Sequence, residues 1–169
     1  MTLTNILTIS AILLGPILSV QIAQYLDRRR WGRERKLRIF KDLMSTRSST
    51  LAPQHVESLN MIDVEFLPKT SLEQDVLSAW KLYHAHLQDK NYPLESWAPR
   101  KADLLIDLLH VMGKALGYPF DKAHIKNSSY YPHGYGEWED DQYVIRKSTI
   151  NFLQGKQTMS VHIMNAPKS

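Results

Sequence analysis

The most prominent pattern in the chain is an uncharged, largely apolar run at its beginning. No Asp, Glu, Lys or Arg occurs from Met1 to Leu26, and apolar residues predominate from Leu3 to Leu26. As one helix, these 24 residues would be about 36 Å long, slightly more than the roughly 30 Å hydrocarbon core of a bilayer. The pattern predicts a single tilted transmembrane helix, and we assign residues 1–26 to this anchor.

A strongly basic segment follows the predicted anchor directly. Between Asp27 and Arg47 there are nine basic and three acidic residues, a net charge of +6, whereas the whole chain carries +4. Residues 48–169 therefore carry −2, so the basic pI belongs to one juxtamembrane segment and not to a nucleic-acid-binding surface. Because basic residues are retained on the cytoplasmic side, we expect the N-terminus outside and the C-terminal domain in the cytoplasm.

The same charges predict a contact with membrane lipids. A lysine or arginine close to an anionic membrane surface gains about 1 kcal/mol. We therefore expect lipids to be one partner of the chain, and we expect no nucleic acid partner. The residues predicted to contact lipid headgroups are Arg28, Arg29, Arg30, Arg33, Arg35 and Lys36.

A stripe of small side chains follows one face of the predicted span. Small residues at intervals of three or four allow two helices to approach closely in lipid, so the stripe predicts a homo-oligomer. Two other interpretations stay open. The stripe is also compatible with an ordinary single span, and the helix is also compatible with burial inside a soluble oligomer, because polar residues dilute its first turns. The stripe consists of Thr4, Thr8, Ala11, Gly15, Ser19 and Ala23.

Beyond the anchor, apolar positions recur every three or four residues, which is typical of amphipathic helices. Strand-type alternation is nearly absent. We therefore predict an all-α fold, in which the transmembrane helix continues into a basic helix at 27–47 and is followed by a small helical bundle in one cytosolic domain, 48–169. The further predicted helices are Pro53–Pro68, Ser71–Gln88, Ala98–Leu116 and Glu137–Leu153, and Val161–Met164 is either a short strand or a tail.

The helical spacing also predicts which residues face the core. The third of these helices has the broadest apolar face and should be the central one, ended by Gly117 in a left-handed conformation. Thr70 or Ser71 is expected to cap the helix before it. The predicted inward-facing sets are Leu37, Phe40, Leu43 and Met44; Val56, Leu59, Ile62 and Phe66; Leu72, Val76, Ala79, Trp80, Tyr83 and Leu87; and Tyr143, Val144, Ile150 and Leu153.

Several stretches together carry a resemblance to a known family. They are YLDRRR at the end of the anchor, RERKLRIFKDLMSTR, PQHVESLNMIDVEF, AWKLYHAHL, DLLIDLLHVMGKALGYPFDKAHI and YYPHGYGE. This pattern resembles a bacterial family of small proteins with an N-terminal membrane helix and a helical cytosolic domain, a domain of unknown function. The resemblance implies a protein of the bacterial inner membrane and a loose association with mobile or defence-related gene sets. It implies no activity, cofactor or catalytic residue.

The residues themselves indicate no metal site and no cofactor. His84 and His86 point apart on a helix, and neither an H-E-x-x-H motif nor the Glu-x-x-His pairs of a di-metal bundle occur. Asp63 could meet His55 or Asp107 only if the fold brings their helices together. We interpret these groups as structural or solvated.

A loop rich in tyrosine and glycine, Asn127–Gly136, is the one candidate binding element outside the anchor. Its aromatic side chains offer contact area and its glycines allow close approach, although the tyrosines would serve equally well to pack the loop onto the bundle. The candidate binding residues are Tyr130, Tyr131, His133 and Tyr135.

Three classes of function follow from these patterns. The favoured one is a membrane-anchored, self-associating scaffold that recruits a cytosolic partner protein. The alternative is a membrane pore or membrane-perturbing effector built from the N-terminal helices. The third is a small enzyme that uses His133 with Asp121 or Glu137, although no nucleophile motif supports it.

Overall fold

The protein folds into helices that belong to two compact units, residues 1–129 and residues 130–169. The structure, a computed structural model, describes residues 3–158, and it describes side chains from residue 15 onward. Within that range every element is a helix, as the all-α prediction expected. The helices are α1 (Leu3–Ser45), α2 (Pro53–Asn60), α3 (Ile62–Glu65), α4 (Ser71–Gln88), α5 (Leu94–Leu116), α6 (Lys122–Asn127) and α7 (His133–Leu153).

Helix α1 runs without a break through the predicted anchor and the basic segment. Pro16 lies inside it, and Gly32, which costs about 1 kcal/mol relative to alanine in a helix, does not interrupt it. The expected continuity between the two segments is therefore confirmed.

Among the residues that the structure describes, no helix is both long enough and apolar enough to cross a membrane. Half of the predicted span, residues 3–14, lies outside the described side chains. The transmembrane assignment of Leu3–Leu26 stays a prediction, as do the domain boundaries at 26/27 and 47/48.

The two parts of α1 have different surroundings. Every residue from 16 to 31 is exposed. The part after Gly32 packs against α2, α3 and α5, where Phe40 and Leu43 are buried and Leu37 and Met44 are half-buried against the core. The predicted apolar face of the basic helix is thus confirmed.

The core of the first unit is centred on α5, which packs against α4, α1 and α6. Its buried face is Leu104, Leu105, Leu108, Leu109, Met112 and Leu116, so it is the central helix that its broad apolar pattern predicted. It begins at Leu94, earlier than predicted, and contains Pro99.

The end of α5 has the hydrogen bonds of a Schellman motif. Gly117 is left-handed (φ 81°) as predicted, its N–H donates to the Lys114 carbonyl over 3.2 Å, and the Tyr118 N–H donates to the Gly113 carbonyl over 2.8 Å. The chain then reverses, and the Tyr118 ring stacks on Phe40 of α1 with a centroid distance of 6.1 Å.

Helix α4 matches its predicted bounds and its predicted cap. The Thr70 hydroxyl accepts a hydrogen bond from the Glu73 N–H, and the Glu73 carboxylate accepts one from the Thr70 N–H, which completes a capping box. Val76, Trp80 and Tyr83 are buried as expected, whereas Leu72, in the first turn of the same helix face, is exposed.

The predicted helix Pro53–Pro68 is wrong in two respects. It is broken at Met61 into α2 and α3, and Val56 is exposed while His55 and Ser58 are buried. The polar residues turn inward because the end of α1 and the residue after it supply partners: the Thr46 hydroxyl lies 2.8 Å from His55 Nδ1, and the Ser58 hydroxyl donates to Asp42 over 3.5 Å.

The prediction for the last helix is also wrong in its start and in its buried face. Helix α7 begins at His133 instead of Glu137, because Pro132 precedes the first turn and its carbonyl accepts the Tyr135 N–H. No residue of α7 is buried, and Tyr143, Val144, Ile150 and Leu153 are exposed. Within residues 130–158, the described part of this unit, α7 is the only helix, so those residues offer no second helix against which it could bury a face.

Candidate functional site

The first unit has a basic cavity beside the exposed part of α1. It has a volume of about 1100 Å³ and lies between α1, the segment Phe66–Glu73 and the end of α5. Its charged lining residues are Arg28, Arg29, Arg33, Lys36, Lys69 and Glu73, and we call this cavity the basic groove. Five cations and one carboxylate give it a net charge of +4.

One face of α1 supplies most of this groove. Tyr25, Arg28, Arg29, Gly32, Arg33 and Lys36 recur at spacings of three and four and so lie along one side of the helix. The opposite wall comes from the turn between α3 and α4, which carries Phe66 and Lys69, and the end of α5 contributes Ala115 and Leu116.

Two cations of the groove are held by the fold. Arg33 Nη2 donates to the Leu116 carbonyl at 2.9 Å, at the end of α5 where helix carbonyls lack partners of their own. Lys36 forms an ion pair with Glu73 and lies over the ring of Phe66, 5.6 Å from its centroid. Burial acts to raise the pKa of Glu73, but the hydrogen bond and charge of Lys36 outweigh it, so this pKa lies below its usual value.

The remaining three cations have no carboxylate partner among the described residues. Arg29 lies over the Tyr25 ring at 5.1 Å, and Arg28 makes one long contact of 3.4 Å to the Gln24 carbonyl. The side chain of Lys69 has no hydrogen-bond partner in the described part of the chain. The groove therefore combines uncompensated positive charge with an apolar floor.

The residues predicted to contact lipid headgroups separate into two groups. Arg28, Arg29, Arg33 and Lys36 line the basic groove, whereas Arg30 and Arg35 do not. Arg35 instead donates to both carboxylate oxygens of Glu65, each over 2.8 Å. Sequence analysis missed Lys69, because its approach to α1 depends on how α3 and α4 pack and leaves no local pattern.

Part of the predicted oligomer stripe can be located. Thr4, Thr8 and Ala11 lie outside the described side chains, whereas Gly15, Ser19 and Ala23 belong to the described part of α1. The Ser19 hydroxyl donates to the Gly15 carbonyl over 2.8 Å, within the same helix. A Cβ atom added at Gly15 would meet no other atom within 4 Å, so this position has room for a second helix.

The predicted binding loop is in part helical. His133 and Tyr135 lie in the first turn of α7, and Tyr130 and Tyr131 precede it. The tyrosines contact one another and the helix: Tyr131 and Tyr135 are 5.6 Å apart edge to face, and the Tyr131 hydroxyl donates to Glu139 over 2.6 Å.

The two residues that the enzyme hypothesis assigns as an acid–base pair, His133 and Glu137, are exposed to solvent. His133 Nδ1 is 3.4 Å from Glu137 Oε1, and the two side chains are 95% and 71% exposed. Such exposure provides none of the desolvation that tunes catalytic groups. Asp121, the other candidate acid, caps α6 by accepting the His124 N–H over 2.6 Å.

The other polar candidates are held separately. Asp63 accepts a hydrogen bond from the Trp80 indole N–H over 2.9 Å, and His55 forms a hydrogen bond with Thr46. Asp107 forms an ion pair with Lys122 at 2.7 Å, so each of the three residues has a different partner. His86 is buried, with Nε2 3.0 Å from the Trp97 carbonyl. Within the described residues, no three His, Asp or Glu side chains are grouped as a metal site would need.

His55 is the most unusual buried polar residue of the unit. It is completely buried, and its Nε2 atom has no hydrogen-bond partner in the described structure. Burial, together with the charge of Lys101, lowers its pKa from 6.5 to about 4. The imidazole is therefore neutral in the folded protein at neutral pH.

Comparison with known proteins supplies a family and no activity. No curated protein and no solved structure matches the chain. The family that does match is described only as one of unknown function, so the bacterial source and the membrane helix implied by the resemblance stay predictions. The match spans residues 1–169, and the chain therefore belongs to the family of unknown function DUF6680.

Proposed function

We propose that this protein is a membrane-anchored, self-associating scaffold of the bacterial inner membrane, with its N-terminus outside and its helical units in the cytoplasm, where they recruit a partner protein. The observation that carries the proposal is the exposed apolar surface around α1 between residues 16 and 26. Ile17, Val20 and Ile22 are each more than half exposed, and Ile22 points to the side of the helix opposite Ile17 and Val20.

A helix that is apolar on all sides needs an apolar environment on all sides. In the described structure, no other helix covers these residues. A bilayer supplies such an environment, and the basic residues that begin at Arg28 then lie where anionic headgroups are found.

The room at Gly15 supports self-association through the small-residue stripe. In lipid, helices associate where small residues allow their backbones to approach. The stripe continues along the exposed face at Ser19 and Ala23, where no side chain of the described structure fills the space.

Helix α7 supports the recruitment of a protein partner. Trp138, Ile145 and Phe152 recur every seven residues, so they share one face, and they are 56%, 58% and 47% exposed. An aromatic and aliphatic row of this kind is typical of a helix face that packs into a partner.

The proposal can be tested on the full chain expressed in bacteria. We expect it to resist extraction from membranes by alkaline carbonate, its C-terminus to be protected from protease in intact cells, and its detergent-extracted mass to correspond to an oligomer. Gly15→Leu should reduce the oligomer to a monomer, whereas Val20→Leu, which adds one methylene beside the stripe, should not.

Partner recruitment needs a separate readout. Ile145→Asp should abolish co-purification of a cytosolic protein and leave oligomer size unchanged. A monomer that co-purifies with no protein would contradict the scaffold. Membrane depolarisation on expression, abolished by Gly15→Leu, would instead favour the pore, and a phenotype lost only in His133→Ala would favour the enzyme.

A further inference from the structure

We infer that the basic groove is a binding site for the phosphate-bearing headgroup of an anionic membrane lipid. This inference rests on the proposed function, because it requires residues 1–26 to lie in a bilayer. It differs from general attraction to an anionic surface in that it assigns the contact to particular residues, including Lys69, and leaves out Arg30 and Arg35.

Charge identifies the occupant as an anion. Arg28, Arg29 and Lys69 have no carboxylate partner among the described residues, although they line the same cavity. Cations that line one cavity repel one another, and an anion bound between them relieves this repulsion. Phosphate oxygens accept hydrogen bonds from arginine and lysine together, and such charge-assisted bonds are among the strongest in proteins.

The floor of the groove identifies a lipid rather than a free anion. Phe66 is buried beneath the cations, and Ala115 and Leu116 extend the apolar surface. The volume of about 1100 Å³ slightly exceeds the range of about 300–1,000 Å³ that is common for ligand sites, and it is far larger than an inorganic phosphate requires. A phosphate with a glycerol backbone and the start of its acyl chains suits both the cations and this floor.

The position along α1 places the groove at headgroup depth. With a rise of about 1.5 Å per residue, Arg28 and Arg29 lie about 3 to 5 Å beyond Leu26, and Arg33 lies about 10 Å beyond it. The headgroup region of one leaflet is about 5 to 8 Å thick. A lipid whose chains lie against the exposed apolar part of α1 therefore brings its phosphate to the mouth of the groove.

Two double variants with equal loss of charge test the site. Arg29→Gln with Lys69→Gln removes two groove cations, whereas Arg30→Gln with Lys90→Gln removes two exposed cations that do not line it. The full chain is reconstituted in vesicles of phosphatidylcholine with and without phosphatidylglycerol, and flotation shows whether it is held by the membrane. Native mass spectrometry of the detergent-extracted chain then measures retained phosphatidylglycerol.

We expect all variants to float with phosphatidylcholine vesicles. The groove variant should bind phosphatidylglycerol about thirtyfold more weakly, from about 1 kcal/mol for each lost cation, and the control variant should keep the wild-type affinity. Thermal unfolding should be nearly the same in the two variants, because none of the four side chains forms an ion pair or a hydrogen bond in the described structure and the one other contact, of Arg29 with the Tyr25 ring, is exposed.

Three results would overturn the inference. Equal loss of lipid in both variants would show diffuse attraction without a site. Stabilisation of the wild type by inorganic phosphate to the same extent as by phosphatidylglycerol would show a site for a soluble phosphate. A chain that does not float at all would contradict the proposed function and this inference with it, whereas the first two results leave the proposed function intact.

Discussion

Arg33 Nη2 donates a hydrogen bond to the carbonyl oxygen of Leu116 at 2.9 Å, across 83 residues of sequence. The contact joins α1, just after its exposed part, to the end of the central helix α5. Because the last carbonyls of a helix carry partial negative charge and lack partners within the helix, a guanidinium is a favourable partner there. The orientation of the exposed helix relative to the core thus depends partly on this one bond.

Removal of this bond should destabilise the first unit modestly. Because Arg33 is exposed, we expect Arg33→Ala to lower the free energy of unfolding by about 1.5 kcal/mol, the lower end of the range for a hydrogen bond from a charged group. Urea unfolding of the full chain in mild detergent, followed by tryptophan fluorescence, measures it. Arg30→Ala, on the same helix without a described partner, is the matched control, and an equal effect of both changes would contradict the structural role of Arg33.

The end of α5 should not tolerate a side chain at Gly113. A Cβ atom there would lie 2.5 Å from the Tyr118 carbonyl oxygen, a backbone atom of the turn that follows Gly117. We expect Gly113→Ala to destabilise the unit by about 1 to 3 kcal/mol, because the turn must shift. Gly32→Ala, where an added Cβ meets nothing within 4 Å, should instead stabilise by up to about 1 kcal/mol. Urea unfolding distinguishes the two, and a neutral Gly113→Ala would show that the turn adapts.

Burial of His55 should make stability depend on pH. Its pKa is about 4 in the folded protein and 6.5 in a solvated histidine, so below pH 6.5 the unfolded chain binds a proton that the folded one does not. Its contribution to stability is complete above pH 6.5 and is lost as pH falls to about 4, a total of about 3 kcal/mol.

Unfolding free energies of the wild type and of His55→Gln, measured from pH 7 to pH 4, test this dependence. Carboxylates titrate in both proteins, so the informative quantity is the difference between the two curves. It should shrink steadily as the pH falls. His84→Gln controls for the loss of an imidazole, and parallel curves for the wild type and His55→Gln would contradict the prediction.

Asp63 should contribute to the stability of the fold because it accepts the hydrogen bond of the Trp80 indole N–H. Its Oδ2 atom lies 2.9 Å from Trp80 Nε1, and Trp80 is only 5% exposed. Asp63→Ala leaves a largely buried N–H without a partner, so we expect a loss of about 1 to 3 kcal/mol. In a Trp80→Phe background the same change should cost much less, because no donor remains. Asp103→Ala, at an exposed position of α5, is the control, and additive losses in the double variant would refute the coupling.

Much of the helical structure follows from local pattern. The spacing of apolar residues predicted α4, Thr70 was one of two residues expected to cap it, and Gly117 was expected to end α5, because each of these features depends on residues within a few positions of one another. The uncharged run and the basic residues after it can likewise be recognised from the sequence alone. They support the membrane proposal, and they do not decide it.

The tertiary structure decided which faces are buried and which charges meet. The spacing of apolar residues predicted that Val56 is buried, but Thr46 and Asp42, at the end of α1, offer hydrogen-bond partners to His55 and Ser58, so those residues turn inward instead. The spacing of apolar residues also predicted a buried face on α7. Burial requires a neighbouring element, and the described part of its unit contains no other helix. Lys69 and Arg29 line the same groove only because α1 and the α3–α4 turn pack together, and packing between distant segments leaves no regular spacing in the sequence.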